Sequence, residues 1–310
     1  MKKFFLIFAA AAMAAGTMSA QDINQVTETY NNGAMELNMG NKDAALEYFK
    51  SALTMAETLG EEGAEIADNC RNNIPVVMLS MAKDLIKADN FDAAAQQLNM
   101  TVETAELYGN METAEEAKTL IGQVSMMKAN DLLNAKDFAG AAEAYKQVVA
   151  ADSTNGMAAL RLGMALNGAG QQAEAEEAFL LSARHGQDKN AYKQLSNMYV
   201  KTAAAQLKAK KYEEAIAAAL KSDSYLENAT AMKVAGTAAS QLKKNAEAIQ
   251  YLEKYLELSP NAKDANQFKY TIAATAQQMG DNAKAKEYYQ MILSDPKFGP
   301  TAKQMLETLK

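Results

Sequence analysis

The chain of 310 residues contains no tryptophan, one cysteine, one histidine and four prolines. Each scarcity excludes something. With Cys70 alone, no intramolecular disulfide can form, so stability must come from packing. A lone cysteine of this kind reads as a small buried apolar residue. Cys70 and His185 together cannot assemble the usual transition-metal ligand sets within one chain, and no metal or other cofactor is expected. His185 falls where a predicted helix ends, a place the helix dipole favours for histidine. There is no Gly-Lys-Ser/Thr phosphate loop, no nucleophile elbow and no calcium loop between helices. Clustered carboxylates, Glu61, Glu62 and Glu65 or Asp89 and Asp92, are the remaining candidates for paired acid–base work. They fall on predicted turns and polar faces, where solvated acids are normal, so the chain reads as non-enzymatic. Finally, no stretch alternates apolar and polar residues long enough to predict a sheet.

Acid outweighs base, 38 residues to 31, with a pI near 5.1. A phosphate backbone calls for a basic face, so nucleic acid is not an expected partner. The surplus is uneven. Gln21 to Val124 holds 18 Asp and Glu against 6 Lys and Arg, whereas Ser125 to Lys310 holds 20 against 23. An acidic pole of this kind either attracts a basic partner or is a solvated outer face.

The first twenty residues have the three-part layout of a secretory signal peptide. Lys2 and Lys3 precede an uncharged apolar run from Phe4 to Ala15, and Gly16 to Ala20 closes on Met18-Ser19-Ala20. The run makes a helix of roughly 18 Å, short of a ~30 Å hydrocarbon core, so cleavage near Gln21 is expected rather than a permanent span. The Ser-Ala-Gln ending resembles signal peptides of the Bacteroidetes. Export to the periplasm, or otherwise to the envelope or exterior of a bacterium, is the expectation.

Beyond that point apolar residues recur at helical spacing, and one figure keeps returning. A small residue is followed about twelve positions later by Ala and, four further on, by an aromatic residue or Leu. Gly163, Ala175 and Phe179 show it best, with Leu166 and Gly170 between them. Gly33, Ala45 and Phe49 repeat it, as do Ala82, Ala94 and Leu98, then Ala129, Ala141 and Tyr145. A weaker copy is Ala203, Ala215 and Ala219, and two more are Gly236, Ala248 and Leu252, and Ala273, Ala285 and Tyr289. Two antiparallel helices approach most closely where small residues face each other, and the bulky side chain one turn on fills the space beside them. Gly40, Gly170 and Gly280 stand where a left-handed cap would end each first helix, and Pro260 follows a second helix it cannot prolong. Intervals between the anchor alanines are 49, 47, 34, 40, 33 and 37 residues. The two long ones predict second helices extended by a turn, through Ala56–Gly60 and Ala105–Gly109.

This pattern resembles the tetratricopeptide repeat (TPR) family, whose signature is small and aromatic residues on a period near 34. The family's Trp is absent, replaced by residues such as Met78, Ala159 and Tyr199. The resemblance implies an all-α, right-handed α-solenoid of about seven helix pairs. Its expected parts are a signal peptide (1–20), long-helix repeats (21–121), repeats of near-standard length (122–299) and a capping helix (300–310). It also implies that first helices line a concave groove holding a partner's extended segment or helix. The groove-facing side chains would be Asn130, Arg161, Met164, Asn167, Lys201, Lys233, Thr237, Gln241, Tyr270 and Gln277. Arg161, Lys201 and Lys233 would hold a carboxylate or acidic segment by charge-assisted hydrogen bonds. The function expected is an exported protein-interaction scaffold or assembly factor, with a protein or peptide partner and homo-oligomerisation left open. The alternative is a non-catalytic ligand- or carbohydrate-binding module in which Tyr199 and Tyr270 stack on sugar rings.

Overall fold

The computed structural model describes residues 20–309, so the expected signal peptide lies outside the described residues up to Met18-Ser19. Among the described residues every regular element is a helix, and none is long and apolar enough to cross a membrane. The chain divides into two compact units after Lys128.

The first unit contains α1 (Ala20–Asn38), α2 (Lys42–Thr58), a 3₁₀ turn (Gly60–Gly63), α3 (Ala64–Lys87), α4 (Phe91–Leu107) and α5 (Met111–Asn134) as far as Lys128. Helix α1 packs on α2, α2 on α3 and α3 on α4. The anchors Ala45 and Ala94 are fully buried, with Phe49 and Leu98 buried beside them. Gly33 allows the closest approach, since a Cβ there would lie 3.0 Å from the Phe49 ring. Cys70 is buried among Ile74, Val77 and Ala67, as a small apolar side chain.

The long N-terminal repeats have a different cause from the one expected. Helices α2 and α4 do run to 17 residues. Most of the excess, however, lies in the helices that follow, because α3 and α5 each span 24. Pro75 sits inside α3 without ending it.

The second unit runs from Ala129 and continues with α6 (Phe138–Ala151), α7 (Gly156–Gly168) and α8 (Gln172–Ser182). A π-type turn (Ala183–Gln187) leads into α9 (Asp188–Lys208), followed by α10 (Tyr212–Tyr225), α11 (Ala229–Gln241) and α12 (Asn245–Leu258). Helices α13 (Ala265–Gln278), α14 (Asn282–Gln290) and the expected final helix, α15 (Gly299–Thr308), complete it. Each helix packs on the next in sequence from α6 to α15, and the first helices α7, α9 and α11 also pack side by side. That is the row of stacked helix pairs the spacing predicts. Ala141, Ala175, Ala215, Ala248 and Ala285 are all buried. A Cβ on Gly163 would stand 2.5 Å from Phe179.

Helix ends follow local chemistry. Asp137, Asn155, Asn228 and Asp281 each accept a hydrogen bond from the backbone N–H three residues on, satisfying a donor the first turn leaves open. Gly40, Gly170 and Gly280 adopt the left-handed conformation that stops a first helix, with φ of 88°, 80° and 81°. Asp89, Lys136, Lys210 and Lys243 take the same conformation at the corresponding turns without glycine's freedom.

Candidate functional site: the first-helix wall of the second unit

The ten residues expected to face a groove all lie in the second unit and all on first helices. Asn130 is on α5, Arg161, Met164 and Asn167 on α7, and Lys201 on α9. Lys233, Thr237 and Gln241 are on α11, with Tyr270 and Gln277 on α13. Packing of α7 against α9 and of α9 against α11 makes the middle of this set one continuous wall.

Within the wall the side chains divide into those the fold uses and those it leaves open. Tyr145 and Tyr289 are buried aromatic residues whose hydroxyls need an acceptor. Asn130 accepts from the Tyr145 hydroxyl at 2.5 Å, and Gln277 from the Tyr289 hydroxyl at 3.0 Å. Lys233 is paired with Asp264 at 3.2 Å and lies 5.5 Å above the Tyr255 ring. Tyr255 donates to the same Asp264 carboxylate, and with Lys233 it holds that carboxyl below its usual range. Thr237 bonds back to the Lys233 carbonyl at 2.8 Å. Tyr270 lies against Tyr289 and stacks on Phe298, with centroids 6.0 and 5.4 Å away. Among the described residues, Arg161 and Lys201 take part in no ion pair, and no hydrogen bond involves the side chains of Asn167 or Gln241. Arg161 is half-buried, and its charge reaches the Tyr145 phenol, which burial pushes up and Arg161 partly lowers.

The second helices use their charges differently, in a way sequence spacing did not reveal. Lys146 on α6 meets Glu174 on α8 at 3.2 Å, and Lys221 on α10 meets Glu176 on α8 at 2.8 Å. Lys254 on α12 meets Asp223 on α10 at 2.6 Å, and Lys284 on α14 meets Glu253 on α12 at 2.7 Å. Every neighbouring pair of second helices from α6 to α14 is thus joined by an ion pair. The Glu176 rung is the most elaborate. Its carboxylate accepts from the Tyr199 hydroxyl at 2.5 Å and from Tyr225, besides Lys221. Tyr192, Tyr225 and Tyr199 form a stack with centroids 6.2 and 6.1 Å apart, and Lys221 lies 4.6 Å above the Tyr199 ring. Burial alone would raise the Glu176 pKa. The hydrogen bonds from Lys221, Tyr199 and Tyr225 outweigh it and hold the carboxyl below its ordinary range. Burial, then Glu176, pushes the Tyr225 phenol up to about 12. One signal for this rung was legible, since buried tyrosines require acceptors. Their partners lie 23 and 49 residues away and could not be assigned from spacing.

No group of three or more His, Cys, Asp or Glu residues that could hold a metal occurs among the described residues. The helix pairs, their small-residue contacts and an open polar wall define a repeat scaffold. Family models described as tetratricopeptide repeat match residues 126–191 and 200–263, and also 33–59. The chain carries tetratricopeptide repeats.

Among solved structures, a MamA protein is 21% identical, with a TM-score of 0.35 over 56% of this chain and 90% of that one. YrrB, titled a TPR protein with an unusual peptide-binding site, is 18% identical with a TM-score of 0.32, over 57% of this chain and 88% of that one. The P58(IPK) TPR domain aligns over 92% of this chain and 97% of that one at 12% identity, with a TM-score of 0.29. At TM-scores this low the likeness does not extend to function. No curated protein sequence matches the chain.

Proposed function

We propose that the chain is an exported, non-catalytic interaction scaffold or assembly factor that holds a segment of a partner protein along the first-helix wall of its second unit. The observation that carries this reading is the unequal use of charge in that unit. Lys146, Lys221, Lys254 and Lys284 of the second helices each meet a carboxylate on a neighbouring second helix, whereas Arg161 and Lys201 on the packed helices α7 and α9 have no ion-pair partner among the described residues. Cations of this kind, flanked by the amides of Asn167 and Gln241, favour a segment bearing carboxylates. Lys233, Asn130 and Gln277 serve the same wall by stiffening it. The carbohydrate reading has less support, because Tyr225 and Lys221 cover the Tyr199 ring and Phe298 covers Tyr270.

Export rests on the layout of the first twenty residues, and places the protein in the periplasm, or otherwise in the envelope or outside a bacterial cell. Intact mass of the protein from its native cell tests this part, with a mature chain beginning near Gln21 expected and a chain retaining Phe4–Ala15 counting against it. For the groove, a photo-crosslinking residue at Met164 in the full-length chain should capture one dominant protein. Arg161→Glu with Lys201→Glu should abolish that capture. Equal capture by the double variant removes the groove assignment.

A further inference from the structure

The first unit has an opposite imbalance at one of its ends. Among the described residues, every cation of this unit is in an ion pair. Lys42 pairs with Asp84, Lys50 with Glu47, and Arg71 with Glu57 and Asp68. Lys83 pairs with Glu116, Lys87 with Asp84, Lys118 with Glu106 and Glu115, and Lys128 with Asp92. Glu61, Glu62, Glu65, Glu103 and Glu112 are exposed and take part in no ion pair among the described residues.

Two corners bring these acids to one end of the unit. The α2–α3 corner carries Glu61, Glu62 and Glu65, and the α4–α5 corner is flanked by Glu103 and Glu112. Tyr108, at the end of α4, packs into the same core cluster as Leu59 and Ile66 of the other corner. Asn110 donates to the Asn72 carbonyl at 3.2 Å, fastening the α4–α5 corner to α3. On the α4–α5 corner, between Glu103 and Glu112 in the chain, stand Leu107, 72% exposed, and Met111, 57% exposed. Large apolar side chains that project from a well-packed corner, at an end of the unit whose Glu61, Glu62, Glu65, Glu103 and Glu112 are paired with none of its described cations, make a surface complementary to an apolar stripe bordered by cations.

We propose that this end of the first unit docks a basic amphipathic helix of a partner protein, with Leu107 and Met111 meeting its apolar stripe and Glu61, Glu62, Glu65, Glu103 and Glu112 meeting its Lys or Arg residues. The surface is independent of the first-helix wall and does not rest on the function proposed for it. Unpaired surface carboxylates alone would be ordinary. Their grouping at one end with Leu107, the most exposed large apolar side chain among the described residues, in a unit whose described cations are all engaged, selects a cationic amphipathic occupant over a neutral or acidic one.

The test uses the full-length chain and a synthetic Leu/Lys amphipathic helix as probe, followed by fluorescence anisotropy. Glu61→Lys, Glu62→Lys and Glu65→Lys together should weaken binding about tenfold or more, and salt raised from ~50 to ~300 mM should weaken wild-type binding comparably. A control with the same charge change elsewhere on the unit, Glu28→Lys with Asp43→Lys and Asp89→Lys, should weaken it far less. Leu107→Ser with Met111→Ser should lower affinity without altering the salt slope. Equal losses in the two charge variants mean that only overall charge is read, and overturn the proposal. Sedimentation of the chain alone checks the remaining occupant: self-association removed by the Glu61/Glu62/Glu65 variant overturns the partner helix in favour of a second copy. Arg161→Glu with Lys201→Glu should leave probe binding unchanged, so failure of either surface is read separately.

Discussion

Replacing Glu176 isolates the contribution of one rung between second helices. Its carboxylate is the common acceptor for Lys221, Tyr199 and Tyr225, donors contributed by α9 and α10 to a residue of α8. A hydrogen bond to a charged group contributes about 1.5–3 kcal/mol when desolvated, and an exposed ion pair about 0–1. Lys221 is half-exposed, so its share is at the low end. Tyr199 is buried and keeps most of its value, whereas Tyr225 is half-buried and regains water on losing its partner. Glu176→Ala should therefore cost roughly 2–4 kcal/mol. In a unit of this size the melting temperature falls by roughly 5–12 °C. Glu176→Gln keeps an acceptor for the hydroxyls and should cost only about 1 kcal/mol. Acid adds a second readout. The folded Glu176 pKa lies below its ordinary value of 4.5, so its contribution is complete above that value and is lost as pH falls through the lower, folded one. The wild type should lose stability below that pH more steeply than Glu176→Gln. Thermal melts and hydrogen exchange of α8 to α10 measure both effects. A Glu176→Ala variant within ~0.5 kcal/mol of wild type, or a Gln variant as damaged as the Ala variant, refutes the account.

Two further outcomes are expected. Gly163→Leu places side-chain atoms where the Phe179 ring already lies within 2.5 Å of a Cβ, and should destabilise by roughly 1–3 kcal/mol, a cost that a melt matching wild type would rule out. Burial pushes the Cys70 thiol up to about 11 against the partial lowering by Arg71, leaving about one thiolate in a thousand near pH 8. Iodoacetamide should label the native chain very slowly and the unfolded chain at ordinary rates, and fast native labelling would mean that the Cys70 environment opens.

The helix pairs were legible because their cause is local. Gly163, Ala175 and Phe179 must coincide wherever two helices approach closely, and that coincidence recurs at a period the eye can follow. Glycine stops at Gly40, Gly170 and Gly280 were readable for the same reason. The 24-residue lengths of α3 and α5 were not, since the breakers they contain, Pro75 and Gly122, lie inside the helices without ending them. The wall was legible as a set of positions on first helices but not in its division of labour. Lys233 resembles Lys201 in sequence, yet an aspartate 31 residues on has claimed it. Bridges of this length depend on how consecutive repeats are rotated against one another, which side-chain spacing within a repeat does not encode.

The rungs in the second unit also have a mechanical consequence. They fasten second helices to second helices, while no ion pair joins α7 to α9 or α9 to α11 among the described residues. The second-helix row behaves as the spine of a bound book and the first helices as its pages. Shear between neighbouring repeats would strain ion pairs along the spine, whereas between α7 and α9 or α9 and α11 it would break no charge pair. A partner segment lying across α7, α9 and α11, as proposed, would press on helices that no ion pair ties to one another, against a backing that ion pairs do tie.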